Sequence, residues 1–89
     1  MTGWVDWNLV LDTQGGPNWV GNYVDSPVIV NASANEFYKQ PLFYAMAHFS
    51  KFVLPRSRRI GYTISNDTLI ECVAFLRPDN NVAIVLQNR

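Results

Sequence analysis

Charge is what this sequence has least of. Of its 89 residues only 16% are charged, against about 25% in an average soluble domain. Seven basic and seven acidic side chains cancel to a formal net charge of zero. A balance of this kind argues against binding to nucleic acid through phosphate neutralisation. The single cysteine, Cys72, rules out an internal disulfide framework and any multi-cysteine metal site. It lies in an apolar run, so a buried, inert thiol is expected. One histidine, His48, removes histidine-cluster metal sites, and neither a metal nor a cofactor is expected. No apolar run approaches the ~20 residues of a membrane-spanning helix. Neither a basic segment nor an apolar one follows Met1, so no signal peptide is expected in these residues.

What the chain has instead is aromatic and apolar: 13% aromatic and 48% hydrophobic. So little charge on so short a chain implies that much of its surface expects a cover. Gly3-Trp4-Val5-Asp6-Trp7-Asn8 and Gly15-Gly16-Pro17-Asn18-Trp19-Val20-Gly21-Asn22-Tyr23 crowd three tryptophans and several amides around a Gly-Gly-Pro turn. Tryptophan faces stack on the apolar C–H faces of sugar rings, and asparagine amides both donate to and accept from hydroxyls. The plainer reading is that these tryptophans fill a core. The order strand, Gly/Pro/Asn loop, helix favours binding, because α/β enzymes present their binding groups at the carboxyl ends of strands.

Thr2 to Leu11 reads as a strand, Asp12 to Asn18 as a loop, and Pro27 to Val30 as a short extended piece. Ser33-Ala34-Asn35-Glu36 matches a capping box, yet Pro41 falls too deep for one uninterrupted helix. A helix from Pro41 to about Phe52 is expected, with Leu42, Met46, Phe49 and Val53 on one stripe and Tyr44, His48 and Lys51 on another face. That stripe, widened by Phe43 and Phe52, is broader than the chain's own strands can cover. Beyond Arg59 the period becomes alternating. Ile60 to Ile64, Leu69 to Leu76 and Val82 to Leu86 form an antiparallel meander, turning at Asn66-Asp67 and at Arg77 to Asn81. Residues 1–54 therefore form one strand–loop–helix unit and residues 55–89 the start of a β-domain. A lone strand and helix cannot close a barrel, and a meander with open edges invites further strands, so a fragment is expected.

The motifs Thr2-Gly3-Trp4-Val5-Asp6-Trp7-Asn8-Leu9, Gly15-Gly16-Pro17-Asn18-Trp19-Val20, Asp25-Ser26-Pro27, Phe37-Tyr38-Lys39-Gln40-Pro41 and His48-Phe49-Ser50-Lys51-Phe52 closely resemble the C-terminal region of animal glucosylceramidases, glycoside hydrolase family 30. The resemblance covers nearly the whole chain and is looser from Leu54 to Asn66. It implies an α/β plus all-β architecture: the last β/α unit of a (β/α)8 TIM barrel, followed by part of an antiparallel β-sandwich domain. The implied chemistry is retaining hydrolysis of glucosylceramide to glucose and ceramide by two glutamates about 5–5.5 Å apart. The resemblance puts both upstream of Met1. Glu36 reads instead as a helix-entry residue and Glu71 as a solvated strand position, so no catalytic residue is assigned.

Two substrate-binding positions carry over. Trp7 matches a tryptophan at the end of the eighth barrel strand that packs by the glucose ring, and Asn22 matches an asparagine at the pocket mouth. Their plainer readings are wall packing and a turn former. Asp6 alternates with Trp7 and reads as a structural partner, while Trp4, Trp19 and Tyr23 read as core or rim. The implied partners are glucosylceramide or another β-glucoside, a lipid membrane surface and an activator protein. A lysosomal or secreted location is implied for the full-length family. Alternatives are a non-catalytic carbohydrate- or glycolipid-binding module using Trp7, Trp19 and Tyr23, and a truncated product without function. Among other groups, His48 reads as structural, Arg56, Arg58 and Arg59 as a solvated joint, and Asp79-Asn80-Asn81 as a turn rather than a calcium site. Asn31-Ala32-Ser33 and Asn66-Asp67-Thr68 are N-glycosylation sequons, which mildly favour passage through the secretory pathway.

Overall fold

The computed structural model describes residues 3–65 and 69–88. The start of the expected first strand at Thr2, the expected turn at Asn66-Asp67 and the second sequon lie outside those residues. The chain divides into two compact units, Met1–Ala45 and Met46–Arg89.

The first unit is a three-stranded sheet in the order β1-β2-β3, formed by Val10–Asp12, Val28–Asn31 and Glu36–Lys39. β1 and β2 run parallel, pairing Val10 with Val28, Leu11 with Ile29 and Asp12 with Val30. Parallel neighbours need a long crossover. Here the crossover is the stretch from Thr13 to Pro27, the Gly-Gly-Pro loop itself. Pro27 stands just before β2, where its missing N–H leaves no gap in the ladder. Leu11, Ser26 and Pro27 are the buried centre of this sheet. The Ser26 hydroxyl donates to the Val28 carbonyl at 2.6 Å. Both the Ser26 amide and the Gln40 side chain donate to the Asp25 carboxylate, tying the end of the crossover to the end of β3.

Two expectations are corrected here. The first strand covers Val10–Asp12 rather than Thr2 to Leu11. A strand is defined by its ladder, and β2 pairs in register with these three residues alone. Leu9 only touches the ladder, its carbonyl accepting from the Val28 amide at 3.2 Å, and the strand-forming side chains before it extend no pairing. Glu36 is not a helix-entry residue. It opens β3, and the sequon region before it forms a single 3-10 turn, Ala32–Ala34, closed by Asn35 in the left-handed region (φ 53°). The turn reverses the chain into a β2–β3 hairpin and is capped by Asn31, whose side chain accepts from the Ala34 amide, so the Ser33–Glu36 pattern caps nothing and no helix grows from it.

The helix α1 covers Pro41–Ser50, with Pro41 at its first position. Amide donation from Lys51 to Ala47 and from Val53 to Phe49 continues one turn further. None of its side chains is buried, and Leu42 and Phe49 remain 42% and 44% exposed.

The second unit contains an antiparallel meander, β4 (Arg58–Ile60), β5 (Ile70–Leu76) and β6 (Val82–Asn88), in that order. Its first strand is corrected from Ile60–Ile64 to Arg58–Ile60: Tyr62 and Ile64 alternate as a strand would, but only Arg58, Arg59 and Ile60 meet partners on β5. The β5–β6 turn is built as its residue types require. Asn80 takes a positive φ of 64°, and the Asp79 carboxylate accepts from the Asn81 amide at 3.1 Å. Arg77 grips the same carboxylate through both Nε and Nη2. The Asn81 amide, joined by Arg77, holds the Asp79 carboxyl below its ordinary range. Arg77 also donates to the Phe52 carbonyl at 3.3 Å. The Phe49 and Phe75 rings meet edge to face with centroids 6.4 Å apart. Cys72 is half-buried rather than buried. The thiol's hydrogen bond with the Tyr62 hydroxyl pushes the phenol upward.

Very little of this apolar surface is covered. Among the described residues only Leu11, Ala74 and Ala83 are buried hydrophobic side chains. The chain exposes 7676 Å², whereas a folded monomer of its 10.1 kDa exposes about 5,300 Å². Even two separate bodies of half that mass would together expose about 6,400 Å². On β6, Val82, Ile84 and Leu86 alternate on one face and are each more than half exposed. Such a continuous apolar face drives association. Replacing Ile84 with lysine should reduce self-association in sedimentation velocity while changing the unfolding free energy by no more than about 0.5 kcal/mol. Undiminished association would show that this face is not what brings copies together.

Candidate sugar-binding pocket

The site begins with Asp12, the last residue of β1. Its carboxylate oxygen Oδ1 accepts from the amides of Gln14 at 2.9 Å and Gly16 at 2.8 Å. The backbone completes the clamp: the Asp12 amide donates to the Gly16 carbonyl at 2.8 Å, and the Gly15 amide to the Asp12 carbonyl at 3.1 Å. Gly15 sits at φ +81°, where a Cβ would meet the Val24 backbone at 3.0 and 3.1 Å. At Gly16 a Cβ would come within 2.9 Å of the Asp12 carboxylate. Both glycines are therefore required, one by conformation and close approach, the other by the carboxylate it faces. The Gly16–Pro17 peptide bond is cis.

A second clamp follows. Asn18 Oδ1 accepts from the amides of Val20 and Asn22, each at 2.9 Å, and its Nδ2 donates to the Asn22 carbonyl. Asn18 thus mimics a backbone turn with its side chain. It fixes Asn22 through both backbone polar groups, leaving the Asn22 side-chain amide without a hydrogen-bond partner among the described residues.

Between this loop and the segment before β1 lies a pocket of about 380 Å³, within the range of about 300–1,000 Å³ usual for small-molecule sites. Trp7 and Asn22, fifteen positions apart, both line it, together with Asn8, Asn18, Trp19 and Val20. Leu11 forms apolar floor. The wall thus mixes indole faces with amides, the pairing of surfaces that a pyranose ring presents. Trp7 is 91% exposed and Trp19 98% exposed. Core filling within this chain is excluded for both. Trp4 and Tyr23 are likewise exposed, and Tyr23 and Trp4 are not among the lining residues. Asp6 accepts from the Trp7 amide at 2.9 Å, the structural role its alternation suggests.

Sequence reasoning missed Asp12 and Asn18 as the residues that shape the pocket. An Asp followed by Gly-Gly at +3 and +4, and an Asn before an amide-bearing residue at +4, are the signals that could have found them. Neither glutamate lines the pocket. Glu36 accepts from the Tyr38 hydroxyl at 2.9 Å on the β2–β3 hairpin. Glu71 is an exposed residue of β5. His48 is exposed on α1. No cluster of three or more metal-ligating side chains occurs among the described residues.

The chain matches the TIM-barrel domain of glycosyl hydrolase family 30 over residues 1–53 and the β-sandwich domain of the same family over residues 57–89. It is 53% identical over 89 residues to the lysosomal acid glucosylceramidase of Mus musculus, covering 100% of this chain and 17% of that protein. The SrfJ protein of Salmonella typhimurium superposes with a TM-score of 0.85 at 36% identity, over 94% of this chain and 19% of that one. An endo-β1,6-glucanase superposes with a TM-score of 0.83, also at 36% identity, over 93% of this chain and 19% of its own.

The backbone donors of Gly16, Gln14 and Gly15 hold the Asp12 carboxyl below its ordinary value of 3.8. Hydrogen bonds to the charged form favour that form. A lowered folded pKa gives stability that is complete above 3.8 and lost as pH falls through the lowered value. Protection of the Gly16 amide against hydrogen exchange should therefore persist through mildly acidic pH and disappear only in strong acid. Asp12→Asn should abolish that acid dependence. Gly15→Ala should cost about 1–3 kcal/mol in denaturant titrations, the usual strain of a side chain forced into positive φ; an unchanged midpoint would show that the loop relaxes.

Proposed function

The chain belongs to glycosyl hydrolase family 30, and from that premise we propose that it supplies part of the sugar-binding wall of a retaining β-glucosidase acting on glucosylceramide or a related β-glucoside. The observation that carries the reading is the shared pocket of Trp7 and Asn22. In the proposal, the Trp7 indole packs against the apolar face of the glucose ring, and the free amide of Asn22 hydrogen-bonds a ring hydroxyl at the mouth. Each contact is worth roughly 0.5–1.5 kcal/mol.

Retaining cleavage needs two carboxyl groups about 5–5.5 Å apart, one attacking the anomeric carbon and the other protonating the departing oxygen. Glu36 already holds the Tyr38 hydroxyl on a hairpin, and Glu71 is on a strand of the other unit. The proposal therefore draws both acids from polypeptide outside these 89 residues. The chain spans 17% of the length of its mouse relative, which leaves ample sequence to carry them. The large uncovered apolar area of both units supports the same reading, since the remaining barrel and sandwich elements would cover it. A glycolipid at a membrane surface and an activator protein are the further partners proposed, in a lysosomal or secreted setting. The name of the mouse relative supports the first of those locations.

Incubated alone with a chromogenic β-glucoside, the 89-residue chain should release no aglycone; turnover would overturn the assignment of the acids elsewhere. Placing Trp7→Ala or Asn22→Ala at the matching positions of the intact mouse relative should lower kcat/KM about two- to tenfold each. Unchanged kinetics in both would remove the two residues from the site.

A further inference from the structure

We propose that Asn31 is an N-glycosylation site, occupied on the folded hairpin by an oligosaccharide linked through Nδ2. The sequon Asn31-Ala32-Ser33 occupies the β2–β3 turn. Ala32, Ser33, Ala34 and Asn35 are all exposed, as is every residue of β3. The β1 ladder stops at Val30, so Asn31 has a sheet neighbour on one side only, Glu36. A bulky, hydrated substituent therefore meets open space at this end of the sheet.

The Asn31 side chain is already held in place by its neighbours. Asn31 Oδ1 accepts from the Ser33 hydroxyl at 2.8 Å and from the Ala34 amide at 3.4 Å, which fixes the amide plane. Nδ2 spends one of its two N–H bonds on the Tyr38 hydroxyl at 3.2 Å. An asparagine amide has two such donors, and glycosylation replaces one. The other can stay on Tyr38 while Oδ1 keeps both its donors, so the modification costs none of the hydrogen bonds that hold the turn. Tyr38 is 43% exposed and lies on the same sheet face as Asn31. It offers the first sugar an aromatic surface to lie against.

In the transfer step, Nδ2 forms a bond to the anomeric carbon of an oligosaccharide carried on a lipid pyrophosphate. The carbon–oxygen bond to pyrophosphate breaks, the lipid pyrophosphate departs, and one amide proton passes to a base. The proposal rests on the family reading in one respect, the secretory compartment, and not on the chemistry of the pocket.

The test uses the full chain, translated behind a cleavable leader in the presence of microsomes, with Asn66→Gln removing the other sequon. One glycoamidase-sensitive increase in mass is expected on the lumenal product. It should be lost completely in Asn31→Gln and Ser33→Ala and kept in Ser33→Thr. A lumenal product without the increase, or an increase that survives Asn31→Gln, would overturn the proposal. The native protein, digested and treated with glycoamidase in heavy-oxygen water, should yield labelled aspartate at position 31; unlabelled asparagine there would also overturn it. Glucoside kinetics read the pocket separately. A glycosylated Asn31 with inert pocket substitutions would sink the sugar-binding assignment alone.

Discussion

The Asp12 carboxylate is the constraint from which the pocket follows. It stands where β1 ends and binds the backbone of the residues that come next, so the chain leaves the sheet in one direction and no other. Gly15 and Gly16 are the residues that let the backbone come so close. Six residues on from Asp12, Asn18 repeats the device with an amide in place of a carboxylate, fixing the backbone on either side of Gly21. Two polar side chains thus hold a loop that has almost no apolar core of its own. Hydrogen bonds of this kind are directional, which suits a wall that must keep two faces at a set spacing.

The uncovered surface has the same origin as the low charge. Side chains such as Ile84, Leu86 and Phe37 are apolar in the sequence and exposed in the fold. An isolated domain would place charge at such positions. The two matched family domains explain why this chain does not: residues 1–53 and 57–89 each match a part of a larger layered architecture. Few of the local elements depend on that larger architecture. The hairpins and the helix form from their own turn residues and starting proline, with Asn35 and Asn80 in the left-handed region and Pro41 at the first helical position.

How much could be read from the residues varied with how local the signal was. Strands β5 and β6 were legible because alternation and turn chemistry are properties of neighbouring residues, and both follow them. Strand β4 was misplaced, because Ile60, Tyr62 and Ile64 alternate as a strand would while only Arg58–Ile60 meet β5. The helix was legible for the same reason, through Pro41 and the 3.6-residue stripe. Strand β3 was not. Glu36-Phe37-Tyr38-Lys39 is strand only because β2 lies beside it, and the capping-box pattern before it pointed the other way. The first strand was drawn too long because propensity cannot report a missing ladder partner. At the pocket, Trp7 and Asn22 were singled out by resemblance, and that they line one cavity needed coordinates. Asp12 and Asn18 went unnoticed because their work is done on backbone groups, which no side-chain pattern displays.

Because β1 and β2 are adjacent and parallel, the crossover from Thr13 to Pro27 begins and ends on one ladder. Its two roots stand on neighbouring strands at opposite ends of that ladder, Asp12 beside Val30 and Val28 beside Val10. Residues of the loop outside its two clamps can then be exchanged without disturbing the register of the sheet, provided Asp12, Gly15, Gly16, Asn18 and Pro27 are kept. A scaffold of this form lets the wall of the pocket be rewritten within a detachable span, while the strands beneath stay as they were.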